Sequence, residues 1–161
     1  MKFKVLSNKP MKDLLLERMY EWSSQYYLRY FRKNDPWSIT SKELMVYPQE
    51  SLGFHLYCFH LKYNLALKPN LEEHDIIHVL TQTGVTVADE VSLQYFLLGN
   101  GKKSPYMFLA LLTGTVFYPT HVKTFWRFYQ RGRCAHKFYD LPFKNMLLLP
   151  VNRIQTTFNI H

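Results

Sequence analysis

Cysteine, long apolar runs and, in one stretch, positive charge are scarce in this sequence of 161 residues. The two cysteines, Cys58 and Cys134, fit no metal-ligand spacing, so we expect reduced thiols in a cytoplasmic protein rather than a disulfide scaffold. The longest apolar stretch, 106–118, is shorter than the ~20 residues that a membrane-spanning helix needs. Residues 1–22 contain no apolar signal core and include three acidic residues, which argues against a targeting peptide. The expectation is an untargeted protein that is soluble or lies on a membrane surface.

Sustained alternation of apolar and polar residues is also missing, and turn residues divide the chain into helix-sized pieces. The prediction is an all-α fold, a single-domain irregular bundle of about six to eight helices over residues 1–161, with a first amphipathic helix at about 11–33. A hydrophobic content of 47% excludes a disordered chain. With 12 Tyr and 12 Phe, the chain has more aromatic surface than a core of this size usually absorbs, so we expect part of it to face a ligand or a lipid.

Lysine and arginine are absent from residues 72–90, which hold five carboxylates and two histidines. The rest of the chain is basic, because residues 91–161 contain nine lysines and arginines against one acidic residue and the formal net charge of the whole chain is +8. Five uncompensated carboxylates repel one another. This acidic island (residues 72–90) therefore requires either solvent or a cation.

Two capping patterns predict two helices within the acidic island, one beginning at Asn70 and Glu73 and the other at Thr86 and Asp89. We expect Gly84 to end the first of these helices, because glycine is the residue most often found just after a helix.

The acidic island also contains a pattern of potential metal ligands. His74 and His78 are four residues apart, which places both imidazoles on one side of a helix and allows them to bind one metal ion. Asp75 can add an oxygen, and a turn after the first helix can bring Glu90 against it. We therefore predict that His74, Asp75, His78 and Glu90 bind a divalent metal. The opposite side of the same helix is apolar and is expected to face the core: Ile76, Ile77 and Leu80.

The histidine pair has two other interpretations. Zinc proteases with the H-E-x-x-H motif have a glutamate base after the first histidine, where this chain has the shorter Asp75. The chain also has no third histidine at the metzincin interval. A protease is therefore excluded. The second is a helix without metal, whose first-turn carboxylates interact favourably with the helix dipole. Because no lysine or arginine lies nearby, the metal site and the metal-free helix both stay open.

The spacing of the four residues resembles a known motif. The segment "HDIIH", eleven further residues and Glu90 match H-D-x-x-H-x11-E, the motif of the ubiquinone (coenzyme Q) biosynthesis protein family known as the fourth coenzyme Q protein. Three segments are similar to segments of that family in the same order: "YPQESLGFHLYCFH" (47–60) to "LPEGSLGREYxRFL", "HVLTQTGVTVADE" (78–90) to "HxLTGxPTxxxGE", and "RGRCAHKFYDLPF" (131–143) to "NGRRAxxLxxxxWE". The resemblance covers about residues 44–161. It departs at Asp89, where the family has glycine, and at Tyr139 and Asp140, where the family's tryptophan is absent.

This resemblance implies an α-helical, membrane-associated protein of quinone biosynthesis. It implies removal of the C1 carboxylate, with hydroxylation at that carbon, from a polyprenylated 4-hydroxybenzoate-type ring, and assembly with other quinone-biosynthesis proteins. Two nitrogen and two oxygen ligands suit zinc first, with iron, manganese or magnesium as the alternatives. Asp75, as a ligand or as a base, is the candidate catalytic residue. The alternative function is a non-catalytic scaffold that binds prenyl lipids.

The remaining features concern partners. A polyprenyl substrate needs an apolar slot, for which residues 106–118 and 122–129 are candidates, with ordinary core packing as the alternative. Six basic residues are candidates for attracting anionic lipid headgroups or a substrate carboxylate, with a solvated charged face as the alternative: Lys102, Lys103, Lys123, Arg127, Arg131 and Arg133. Nucleic acid is not expected as a partner, because no known nucleic-acid-binding motif is present. A homo-oligomer is also compatible with the sequence. The histidines outside the island lack metal spacing, and His60 is expected to be a hydrogen-bonded core histidine.

Overall fold

The computed structural model describes residues 37–67 and 71–161. These residues form seven α-helices and two short 3-10 turns, with no β-strand among them, so the all-α prediction is confirmed. The helices are α1 (Ser41–Met45), α2 (Leu52–Tyr63), α3 (Glu72–Thr81), α4 (Val87–Gly99), α5 (Pro105–Phe117), α6 (Val122–Cys134) and α7 (Val151–Phe158). The 3-10 turns are Pro119–His121 and Phe143–Met146. The helix predicted at about 11–33 and the cap predicted at Asn70 lie outside the described residues.

The two helices of the acidic island are α3 and α4. For α4 the predicted capping box is confirmed: Thr86 Oγ1 accepts from the Asp89 amide at 3.2 Å, and the Asp89 carboxylate accepts from the Thr86 amide at 3.1 Å. For α3 the start differs from the prediction, since Leu71 is the cap residue and makes no side-chain cap hydrogen bond.

The prediction that Gly84 ends α3 is wrong. Gln82 is the residue in the left-handed region, with φ of 55°, and the Thr83 amide donates to the His78 carbonyl at 3.0 Å. Gly84 is needed for a different reason. A Cβ atom at Gly84 would lie 2.4 Å from Oδ2 of Asp89, so the missing side chain makes room for the carboxylate that caps α4.

Helix α4 lies in the middle of the fold, with α3 before it in the chain and α5 and α6 packed against it. Its buried side chains include Val91, Leu93, Phe96 and Leu97. At its far end a Cβ atom on Gly99 would lie 2.2 Å from the carbonyl oxygen of Tyr129, so α4 and α6 meet backbone to backbone. This contact holds the C-terminal end of α4 against α6.

Helix α5 has two apolar sides, of which one is buried against the rest of the fold and the other is exposed. Its buried residues are Met107, Ala110, Leu111 and Gly114, and Gly114 fits against Val91 of α4. Its other side exposes large apolar residues, namely Phe108, Leu109, Leu112 and Val116. Among the helices of residues 37–67 and 71–161, none combines the length and the hydrophobicity that crossing a bilayer requires.

Candidate metal centre

Helix α3 separates its side chains into a core side and a histidine side, as its sequence predicts. Ile76, Ile77 and Leu80 are buried, which confirms the core side. His74 and His78 project from the other side, and their rings meet edge to face with centroids 4.7 Å apart. His78 is fully buried, whereas His74 is about one-third exposed at 32%. The pair therefore reaches from the interior to the surface.

Helix α4 supplies the third member of the group. The Thr86–Asp89 capping box starts α4 and places Glu90 in its first turn. The Glu90 carboxylate is then directed at α3, with Oε2 3.3 Å from His74 Nε2 and Oε1 3.2 Å from His78 Nε2. The structure thus brings together three of the four predicted ligands.

The spacing of the donor atoms fits a metal ion. The two histidine Nε2 atoms lie 3.1 Å apart, and one ligand atom each from His74, His78 and Glu90 falls within 4.8 Å of the others. Ligands at ~2.0–2.1 Å from a tetrahedral ion are separated by about 3.3 Å from one another, and in an octahedral site by about 3.0 Å. The observed separations of 3.1–3.3 Å agree with both geometries. Two imidazole nitrogens and one carboxylate form a donor set that suits zinc, iron or manganese.

The electrostatics of the group favour a positive charge between the three side chains. Burial raises the pKa of the Glu90 carboxyl, but His74 and His78 outweigh this effect and hold that pKa well below its usual range. Burial lowers the pKa of His78, but the Glu90 carboxylate, with smaller contributions from Asp75 and from the Thr83 backbone, more than compensates, so the pKa of His78 is raised. Glu90 therefore stays ionised and attracts a cation, whether that cation is a proton on His78 or a metal.

Asp75 is the predicted ligand that the structure does not bring into this group. Its Oδ2 accepts a hydrogen bond from His60 Nε2 of α2 at 2.8 Å, in a partly buried position. The prediction that His60 is a hydrogen-bonded core histidine is confirmed, since its side chain is buried. The ligand and catalytic roles of Asp75 stay predictions.

The pairing of His60 with Asp75 was not predicted from the sequence. A histidine in the mostly apolar helix α2 indicates a buried polar group in need of a partner. Fifteen residues separate the two side chains, so helix periodicity does not reveal which partner that is. Sequence reasoning also missed the packing of Phe59 on His78, with stacked rings whose centroids are 5.6 Å apart.

Each carboxylate of the acidic island has its own surroundings in the fold. Glu72 is buried and accepts from the Trp37 amide at 3.0 Å. Burial lowers the pKa of the Lys102 amine, and the nearby Glu73 carboxylate partly opposes this effect. The other three carboxylates have one role each: Asp75 pairs with a histidine of α2, Asp89 caps α4, and Glu90 faces two histidines. Only the last arrangement leaves several lone pairs converging on one point.

The fold and this group can be compared with known proteins. No family model matches the sequence, and no curated protein matches it. Among solved structures, a protein from Nostoc punctiforme PCC 73102, provisionally named a ubiquinone biosynthesis protein, is similar in fold, with a TM-score of 0.67. The match covers 95% of this chain and 83% of that protein, at 20% sequence identity. The two chains share a fold.

This similarity extends over almost the whole chain, so the helical arrangement that holds His74, His78 and Glu90 belongs to the shared fold. At 20% identity the similarity concerns architecture. The chemistry of the site depends on its own residues.

Proposed function

We propose that this protein is a metal-dependent protein of ubiquinone or related quinone biosynthesis, with His74, His78 and Glu90 as metal ligands. The convergence of three donor atoms from two helices, at separations that suit a bound ion, carries the proposal. The fold similarity to the Nostoc protein and the H-D-x-x-H-x11-E spacing support the quinone pathway. Zinc is the first candidate, followed by iron, manganese and magnesium.

The reaction we propose breaks the bond between the ring and the C1 carboxylate of a polyprenylated hydroxybenzoate-type ring, which releases CO2 and leaves a proton on C1. Hydroxylation at C1 would in addition consume O2 as the oxidant. When bound, a divalent ion would supply Lewis-acid polarisation of the substrate carboxylate or of the neighbouring phenol. The partly exposed His74 and Glu90 would form the side open to substrate, and the buried His78 would close the opposite side. Asp75 remains the predicted catalytic residue, and from its position outside the donor group it would act on a proton rather than on the metal.

A non-catalytic scaffold that presents prenyl lipids to other quinone-biosynthesis proteins is the second candidate. The exposed apolar side of α5 and the exposed Val122 and Trp126 of α6 favour it, because large exposed apolar residues mark interaction sites. The exposed Lys123 and Arg127 lie on the same helix as Trp126. We propose that this surface meets an anionic membrane and that the protein is cytoplasmic and peripherally membrane-associated, with a homo-oligomer or a quinone-biosynthesis protein as further partners.

Two measurements test the proposal. Elemental analysis of protein purified without chelator should find close to one divalent ion per chain. Incubation with a prenylated 4-hydroxybenzoate should then release CO2, with loss of activity on metal removal and recovery on metal addition. Binding of the same substrate without turnover, in protein that contains metal, would favour the scaffold. Absence of metal would overturn the proposal that His74, His78 and Glu90 bind a metal ion.

A further inference from the structure

The His60–Asp75 pair has a consequence for the proposed metal centre. We propose that His60 holds Asp75 outside the coordination shell, so that three protein ligands bind the ion and at least one position stays open for substrate. This inference rests on the proposed function, because it requires a metal at His74, His78 and Glu90.

The geometry places Asp75 on a different side of α3 from the two histidines. The Nε2 atoms of His74 and His78 face α4, where Glu90 approaches both within 3.3 Å. Asp75 faces α2, where its Oδ2 lies 2.8 Å from His60 Nε2. A helix rotation of 100° per residue separates the Asp75 side chain from that of His74 and explains why neighbouring residues reach different helices.

Burial of the pair favours this arrangement. The side chains of His60 and Asp75 are 5% and 14% exposed, so water competes little for their hydrogen bond. Among the described residues, Nδ1 of His60 has no hydrogen-bond partner, so Asp75 is the group that satisfies this imidazole. Moving Asp75 toward the metal would leave His60 buried with neither nitrogen bonded, which is costly.

Helix α2 therefore acts on the centre through two consecutive residues. Phe59 stacks on the ring of His78 and fixes its orientation, while His60 holds Asp75 away from the ion. Metal sites with three protein ligands are typical of catalysis, because the remaining position accepts water or substrate, whereas four protein ligands are typical of structural sites. His60 is thus a positioning residue that keeps the site open.

Cobalt(II) binding to the full chain tests this inference, since the intensity of the cobalt absorption bands reports coordination number and ligand type. Affinity is measured by competition with a chromophoric chelator. Asp75→Asn should change cobalt affinity by no more than about threefold and leave the spectrum unchanged, whereas Glu90→Gln should weaken binding by about tenfold or more. Asp75→Asn and Glu90→Gln are matched, because each replaces a carboxylate by the amide of the same size.

His60→Leu provides the converse test. Freed from its partner, Asp75 should join the ion, so that the cobalt spectrum changes and affinity rises, and adding Asp75→Asn to His60→Leu should restore the wild-type spectrum. His60→Gln, which keeps a donor for Asp75, should resemble wild type. If His60→Leu fails to fold, the Asp75→Asn comparison decides alone.

The failures can be distinguished. If the folded wild-type protein binds no cobalt, the metal hypothesis and this inference both fail. If it binds cobalt but Asp75→Asn weakens binding as much as Glu90→Gln and alters the spectrum, Asp75 is a ligand and only this inference is overturned. An unchanged spectrum in folded His60→Leu would likewise overturn the role assigned to His60.

Discussion

A Cβ atom on Gly132 would lie 2.0 Å from the carbonyl oxygen of Phe96, so α6 touches α4 through the backbone of both helices. Because the contact involves backbone atoms, no change of side-chain rotamer can make room for a larger residue. Helix α4 carries Glu90 in its first turn. The crossing of α4 and α6 therefore contributes to the position of the Glu90 carboxylate.

Gly132→Ala should destabilise the protein by about 1–3 kcal/mol, because the two helices have to move apart. Urea unfolding of the metal-free protein measures this cost. Cys134→Ala is the control on the same helix, since Cys134 is exposed and its replacement should change the free energy of unfolding by no more than about 0.5 kcal/mol. Equal stability of Gly132→Ala and wild type would mean that the helices are not in backbone contact.

Replacement of the proposed ligands should remove the metal without unfolding the chain. His74→Ala and Glu90→Ala should each lower metal content, because a three-ligand site loses much of its affinity with each donor. Both side chains are about one-third exposed, so their removal leaves no large cavity. Elemental analysis and circular dichroism together measure the two effects. His136→Ala, at an exposed histidine, is the control and should retain the metal. Full metal content in His74→Ala would rule the site out.

The free energy of unfolding of the metal-free protein should depend on pH through Glu90 and His78. The pKa of Glu90 is lowered from 4.5, so its contribution to stability is present above that pH and is lost as pH falls through the folded-state pKa. The pKa of His78 is raised from 6.5, so its contribution is present below 6.5 and is lost as pH rises through the folded-state pKa. The pair should therefore stabilise most between 4.5 and 6.5.

Metal affinity should show the opposite slope above pH 6.5, because the metal competes with the proton on His78. Urea unfolding with chelator and metal titration without it, each followed across this range, measure the two slopes. The free energy of unfolding of the metal-free protein should fall as pH rises above 6.5, because His78 loses its proton. In Glu90→Gln this fall should largely disappear, since the carboxylate that pairs with His78 is gone. If the free energy of unfolding of the metal-free protein and the metal affinity both rose with pH, this account would be wrong.

Membrane binding should depend on the exposed side of α5. Leu112→Ser combined with Val116→Ser should weaken binding to vesicles containing anionic lipid, since both side chains are about two-thirds exposed, at 65% and 66%. Leu61→Ser is the matched control, because Leu61 is 69% exposed but lies on α2. Sedimentation with vesicles measures the effect, and added salt should release the protein. Equal, salt-insensitive binding to neutral vesicles would show that charge is not what holds the protein there.

The features that follow from local patterns could be predicted from the sequence. The helix period separates Ile76 and Leu80 from the histidines, and both are buried. The capping box at Thr86 sets the start of α4, and with it the phase at which Glu90 projects. These two local rules were sufficient to predict that a carboxylate meets two imidazoles.

The features that depend on contacts between distant segments could not be predicted in this way. Asp75 has the right spacing for a ligand, but its actual partner comes from α2, and nothing in the sequence near Asp75 indicates His60. The end of α3 was also misplaced, because Gly84 is required for packing against Asp89 rather than for a left-handed backbone, which Gln82 adopts instead. Tertiary contacts decided both cases.

All three donor side chains of the candidate centre lie within seventeen consecutive residues, from His74 to Glu90. The entropy cost of closing a loop grows with its length, so ligands this close in the chain meet at a lower cost than ligands contributed by distant helices. Contacts with small sequence separation also form early in folding. A metal ion bound to these three residues would therefore join α3 to α4 before the C-terminal helices are made, and metal supply during synthesis would then determine how quickly the chain reaches its native state.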